Sequence, residues 1–261
     1  MGFRSSYLGY PGGGGFGIDT SNPAVAGQSQ YMSAACMAGA NMVNLVTGQP
    51  GTVNSGPWSV IQQSGVGPAI THSGASTYSQ FTDPAGSNTN QYWTAAGIFQ
   101  LQNLTNVQGV ICSSLSAVGG WRVLINSTGA PIIANNNAST LSGAAASIVA
   151  GIPFFYLACN SPSNAFIYLL NMKSGKLLYT TGTTLSAPGT SPGSFMVGND
   201  CALVTNRAIT GLSRVMFSYQ PITPQQGAQW CANPWAFWHP NMRGQGFNLG
   251  LASVSGGVVN L

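Results

Sequence analysis

Residues 121–134 read WRVLINSTGAPIIA, and residues 166–180 read FIYLLNMKSGKLLYT. In each, an aliphatic and aromatic run leads into a polar cluster holding one glycine, and a second run leads out. That is the pattern of an antiparallel hairpin. The expected strands are 121–125 with 131–134 around a turn at 126–129, and 166–170 with 177–180 around a turn at 173–176. Glycine in each turn supplies the positive φ that a tight reversal needs. Working outward, runs of the same texture recur at 92–101, 107–113, 153–159, 194–198 and 212–219, separated by Gly, Asn, Ser and Pro. About nine strands at this spacing specify an all-β sandwich or barrel.

The flanks read differently. Residues 1–22 form a Gly-rich arm, with glycine at each of positions 12 to 15 and with Phe3, Tyr7 and Tyr10 as apolar anchors. Residues 29–46 offer Ala, Met and Leu without proline, which predicts a short helix in a linker. One helix start is sharper: Thr223-Pro-Gln-Gln226 sets Thr at the N-cap, Pro at the first helical position and Gln at the third. That helix is expected to run to about Ala232 and to stop before Asn233-Pro234. Beyond it, Trp235-Ala-Phe237-Trp238 is a dense apolar patch, and 239–261 is a polar, Gly-rich tail. The expected organisation is therefore arm and linker over 1–50, sandwich over 51–238 and extended tail over 239–261.

Composition points away from catalysis. The 261-residue chain has no glutamate, and its acidic side chains are Asp19, Asp83 and Asp200; 4% of its residues are charged, against about a quarter in an ordinary soluble domain. Ser, Thr, Asn, Gln and Gly must serve as its surface, and such groups are cheaper to desolvate than Lys or Glu, which suits dense packing against other molecules. The seven cations behind the net charge of +4 are scattered, which argues against a nucleic-acid groove. No apolar run reaches the ~18 residues of a membrane span. The opening residues show no secretory h-region, and five widely spaced cysteines predict buried free thiols, with an interchain disulfide as the other reading.

Individual motifs weigh little. Gly12, Gly14 and Gly17 spell a dinucleotide-binding fingerprint without the strand, helix or acidic residue that gives it meaning. Gly2 with Ser6 fits a myristoylation pattern, and Asn103, Asn126 and Asn137 open glycosylation sequons, all matches that this composition produces freely. Glycoside hydrolysis usually takes two carboxyl groups facing one bond, and no such pair is evident. His72 and His239 sit in no nucleophile signature and form no ligand set with the cysteines. No enzyme, cofactor or metal site is expected. The six tryptophans suit a core, an interface or a sugar-stacking platform.

Several segments together resemble one family. Phe195-Met-Val-Gly-Asn-Asp200 and Gly211-Leu-Ser-Arg-Val215 resemble two successive late strands of laminin-G or concanavalin-like jelly rolls, and Ile222-Thr-Pro-Gln225 resembles the step into their short helix. Ala232-Asn-Pro-Trp235-Ala-Phe237 resembles the ending of such modules in structural proteins of tailed bacteriophages. The resemblance covers roughly 55–235 and implies a jelly-roll β-sandwich with a Gly-rich N-terminal arm, one short C-terminal helix and an extended tail. It further implies a virion protein that decorates or cements a capsid, binding copies of itself, in a trimer for example, and the major capsid or other virion proteins. In that role Phe3, Arg4, Tyr7, Tyr10, Trp235, Phe237, Trp238 and Arg243 are the expected interface residues. The alternative is a carbohydrate-binding head or tail fibre that recognises glycans on a host surface. The family's rim-loop calcium site is not expected, because only Asp200 falls in a matching region.

Overall fold

The computed structural model describes residues 28–38, 41–45, 49–54, 58–72, 77–82, 91–113, 120–135, 139–188, 194–199 and 209–234. In chain order the strands are β1 (Gln28–Ala38), β2 (Asn41–Asn44), β3 (Thr52–Asn54), β4 (Trp58–Gln63), β5 (Gly67–His72), β6 (Tyr78–Thr82), β7 (Trp93–Phe99) and β8 (Gln108–Cys112). They continue as β9 (Trp121–Ile125), β10 (Pro131–Asn135), β11 (Ser139–Ser142), β12 (Phe154–Asn160), β13 (Ala165–Asn171), β14 (Leu177–Gly182), β15 (Ser194–Val197) and β16 (Leu212–Ser218). One helix, α1 (Pro224–Ala232), follows.

Both hairpins form as read. Pro131 pairs with Ile125 and Leu170 with Leu177, and Gly129 and Gly175 take φ of 75° and 74° at the turns. At Gly129 no side chain fits, since a Cβ would lie 2.3 Å from the Ile148 carbonyl oxygen. The strands make two antiparallel sheets. A nine-stranded sheet runs β14-β13-β12-β7-β16-β1-β2, with β5 also pairing β16 and β4 pairing β5; a seven-stranded sheet runs β11-β10-β9-β8-β15-β6-β3.

The sheets pack face to face over one apolar core. Trp121 of the seven-stranded sheet inserts between two aromatics of the other, 4.0 Å from the ring of Phe217 and 4.9 Å from Trp93. Burying such a ring removes its whole apolar surface from water, the largest single contribution a side chain can make to this core. At one end of the sandwich, amides take the place of hydrophobes. Asn160 accepts from the Leu185 amide (2.8 Å) and donates to the Gln91 carbonyl (2.8 Å), while Asn135 donates to the Ser186 carbonyl (2.7 Å) and accepts from the Trp93 indole (3.2 Å). These bonds tie residues 185–186 to both sheets.

The nine-stranded sheet is apolar on its outer face as well. Ile98, Leu157, Phe166, Tyr168 and Met216 form a second cluster, capped by Cys231 of α1 and by Val66 of the β4–β5 turn. That is why β7, β12 and β16 are buried along their whole lengths, while β14 alternates between exposed and half-buried residues. The helix starts where its sequence signals: the Thr223 hydroxyl accepts from the Gln226 amide (3.2 Å), and the Gln226 side chain accepts from the Thr223 amide (2.8 Å). Gly227 lets α1 lie against the sheet, since a Cβ there would sit 2.9 Å from the Tyr168 ring.

Two expectations are corrected. Residues 29–46 hold no helix: β1 and β2 occupy 28–38 and 41–44, and β1 pairs with β16 from Gln28↔Ser218 to Ser33↔Arg214. Sheet pairing with β16, some 180 residues away, and with the adjacent β2 overrides the local preference of Ala and Met for helix. β1 and β2, ahead of residue 51, are therefore part of the nine-stranded sheet, and the described residues contain sixteen strands where about nine were expected. Cys112, Cys159 and Cys231 are buried and form no disulfide with one another. No helix among the described residues is long and apolar enough to cross a membrane.

Candidate functional site

Phe3, Arg4, Tyr7, Tyr10, Trp235, Phe237, Trp238 and Arg243 all lie outside the described residues. So do Asp19, Asp83, Asp200 and His239, so the described residues carry no carboxylate side chain, and no three of His, Cys, Asp and Glu cluster among them. Trp93 and Trp121 are wholly buried core residues, Trp58 packs against the core, and Trp230 packs on the outer apolar layer. None of these four is a free platform.

His72 is a structural group. At the end of β5 it is 3% exposed, its Nδ1 donates to the Gly198 carbonyl at 3.1 Å, and Trp58 meets it edge-on at 6.3 Å. Burial, only partly opposed by the Gly198 and Thr77 carbonyls, lowers its pKa to about 4, so the ring is neutral at physiological pH. Burial likewise pushes the Cys159 and Cys231 thiols up, which makes them poor nucleophiles.

A different place stands out. Among the described residues the large apolar side chains left exposed are Val60, Val149, Leu177 and Tyr179, and two of those four share β14. Tyr179 is 46% exposed, the one aromatic in that set. Its ring is not loose. It lies 4.6 Å from Tyr168 at 32°, with Phe166 at 6.3 Å, and Phe166 meets Tyr168 edge-on at 5.7 Å. Tyr168 is anchored in turn, its hydroxyl donating to the Pro224 carbonyl at 3.1 Å. Burial above all, with Tyr179 and Cys231 adding to it, pushes the Tyr168 hydroxyl up to about 12, so it stays a donor. The chain of cause runs from the capping box that fixes α1, through Pro224 and Gly227, to Tyr168 and so to the exposed ring.

The surroundings of Tyr179 are uncharged along the strand and cationic at its start. Leu177 and Thr181 are the other exposed residues of β14. Lys173 and Lys176 sit in the preceding turn, which the Asn171 side chain holds by accepting from the amides of Lys173 and Ser174, each at 3.0 Å. An exposed aromatic face with hydroxyl groups beside it can stack on the apolar face of a ring and hydrogen-bond its substituents. The described residues bring no carboxylate to it.

Sequence reasoning places Tyr179 correctly in a hairpin strand but names Trp235 and Trp238, not Tyr179, among the expected interface residues. The period-2 pattern of β14 shows that one set of residues is half-exposed, yet which face that set occupies depends on β14 ending the sheet, a long-range fact.

No protein-family model matches the chain, and no curated protein sequence matches it. By structure it is similar to domain 4 of AbnA, a GH43 extracellular arabinanase from Geobacillus stearothermophilus, in complex with arabinotriose: TM-score 0.58, 14% identity, covering 78% of this chain and 98% of that one. It is similar to Trypanosoma rangeli sialidase (TM-score 0.53, 10% identity), covering 79% of this chain and 32% of that one. It is also similar to the binding domain of botulinum neurotoxin DC in complex with SialylT (TM-score 0.53, 12% identity), covering 78% of this chain and 50% of that one. These likenesses establish the fold as a jelly-roll β-sandwich, and none of the three is a virion protein.

Proposed function

We propose that this chain is a glycan-binding module that captures an oligosaccharide through Tyr179 and does not cleave it. The observation that carries the reading is a tyrosine left 46% exposed on an aromatic stack that the fold holds rigid. A pre-positioned ring loses little entropy when a sugar stacks on it, and that favours affinity at a shallow site. The fold supports the reading, because the arabinanase domain that this chain covers almost entirely was solved with a bound trisaccharide. Binding without cleavage follows from the scarcity of carboxylates, three in the whole chain, for a reaction that usually takes two facing one bond. In a virion such a module serves as a head or tail fibre that recognises the host surface. The test is an immobilised panel of neutral and sialylated oligosaccharides that includes arabinotriose, probed with the wild type and with Tyr179→Ala. Selective capture by the wild type, weakened about tenfold in the variant, is expected, equivalent to ~1.4 kcal/mol. No capture of any glycan overturns the reading.

The uncharged composition favours a second reading, a capsid decoration protein that acts by surface burial. Saturable binding of the purified protein across decoration-free capsids supports it, and binding at a vertex, at the tail or nowhere counts against it.

A further inference from the structure

We propose that β14 pairs with β14 of a second copy of this chain across a two-fold axis at Tyr179, joining two nine-stranded sheets and completing a shared aromatic surface. The strand ends its sheet: among the described residues β13 is its only hydrogen-bonded neighbour. The Asn171 amide donates to the Lys176 carbonyl at 2.9 Å, which fixes the phase of the ladder. Lys176, Leu178 and Thr180 therefore turn their backbone groups toward β13, whereas Leu177, Tyr179 and Thr181 turn theirs to the open edge.

Edges are normally kept from pairing by a charge, a proline or a bulge. β14 reads Leu-Leu-Tyr-Thr-Thr-Gly and pairs with β13 from Leu170↔Leu177 to Ala165↔Gly182 with no register shift, so it has none of the three. A second identical edge is the occupant its chemistry fits. Antiparallel pairing keeps the outer faces of both sheets on one side only when residues of like parity stand opposite each other. The most overlapped register of that kind sets Tyr179 against Tyr179 of the second copy, and Leu177 against Thr181. All three edge residues then exchange backbone bonds, about six in total. Lys176 falls opposite Gly182 of the second copy, so the cations of the two copies lie at opposite ends of the paired strands.

The pairing rests on the strand edge alone; its consequence for the site rests on the glycan reading. The two Tyr179 rings meet on one face and, each already stacked on its own Tyr168, make a four-tyrosine ribbon that neither copy has by itself.

The experiment is sedimentation equilibrium of the full chain up to about 100 µM, for wild type, Thr181→Pro and Tyr179→Phe, with circular dichroism to verify the sandwich. Proline at 181 removes an edge N–H and no backbone bond to β13, and with it only the side-chain bond from the Thr181 hydroxyl to the Ala165 carbonyl (3.2 Å), so the variant is expected to fold. The expected result is a dimeric wild type, a Thr181→Pro variant at least tenfold weaker in association, and a dimeric Tyr179→Phe variant. A monomeric wild type overturns the proposal, as does a dimer that Thr181→Pro leaves unchanged. Should Thr181→Pro not fold, Leu177→Pro, which also spares the bonds to β13, takes its place: weakened association supports the pairing and unchanged association overturns it. Glycan capture is measured separately, so a dimer that binds no glycan refutes the functional reading and leaves the pairing standing.

Discussion

Replacing His72 by Gln tests whether the buried ring sets the acid limit of the sandwich. The ring is 3% exposed, and Gly198 packs so closely that a Cβ there would lie 2.5 Å from His72 Cε1. Folding holds its pKa near 4, against 6.5 when solvated. The folded protein thus resists a proton that the unfolded chain accepts, so stability is full above pH 6.5 and falls as the pH drops toward 4. Each unit is worth ~1.4 kcal/mol, which puts the loss over the whole window at about 3 kcal/mol. Urea unfolding followed by tryptophan fluorescence at pH 7.5, 6.5, 5.5 and 4 measures it. At pH 7.5 the variant is the less stable protein, having lost the bond to Gly198 and the fit of the ring. Because the variant lacks the titration, the gap between the two proteins is expected to narrow by about 3 kcal/mol on going to pH 4. Carboxylates titrate alike in both and cancel. A gap that stays constant across the window refutes the argument.

Further outcomes follow from the packing. Trp121→Ala empties the space between Trp93 and Phe217 and is expected to cost about 3–5 kcal/mol in urea unfolding. Thr223→Ala removes the acceptor for the Gln226 amide and is expected to cost about 1 kcal/mol, with Thr223→Asp restoring most of it. Gly227→Ala drives a methyl toward the Tyr168 ring, so α1 is expected to lift and glycan capture to weaken while the sandwich stays folded by circular dichroism.

What can be read from the sequence is local. The hairpins at 121–134 and 166–180, the strand at 154–160 and the capped helix at 224–232 depend on nearby residues, whose propensities and turn chemistry agree. β1 misleads because Ala34, Ala35, Met37 and Ala38 favour helix, and it is pairing with β16 over Gln28–Ser33 and with β2 at Met37 and Ala38 that makes this segment strand. β4 and β5 escape notice because Gln62, Gln63 and Pro68 break the apolar pattern, although Gln63 is used to hydrogen-bond the Gln100 carbonyl at 2.7 Å. The exposed ring of Tyr179 is illegible for a related reason. Nothing in Leu177-Leu-Tyr-Thr-Thr-Gly182 says that this strand ends its sheet, and that position leaves the ring uncovered.

The central claim is tested most directly by titrating isotope-labelled protein with arabinotriose, or with the tightest ligand from the panel, and following the tyrosine ring signals by NMR. The account expects saturable shifts confined to Tyr179, Tyr168 and their neighbours on β14, and their loss in Tyr179→Ala. Saturable shifts elsewhere, with those rings unmoved, would contradict it.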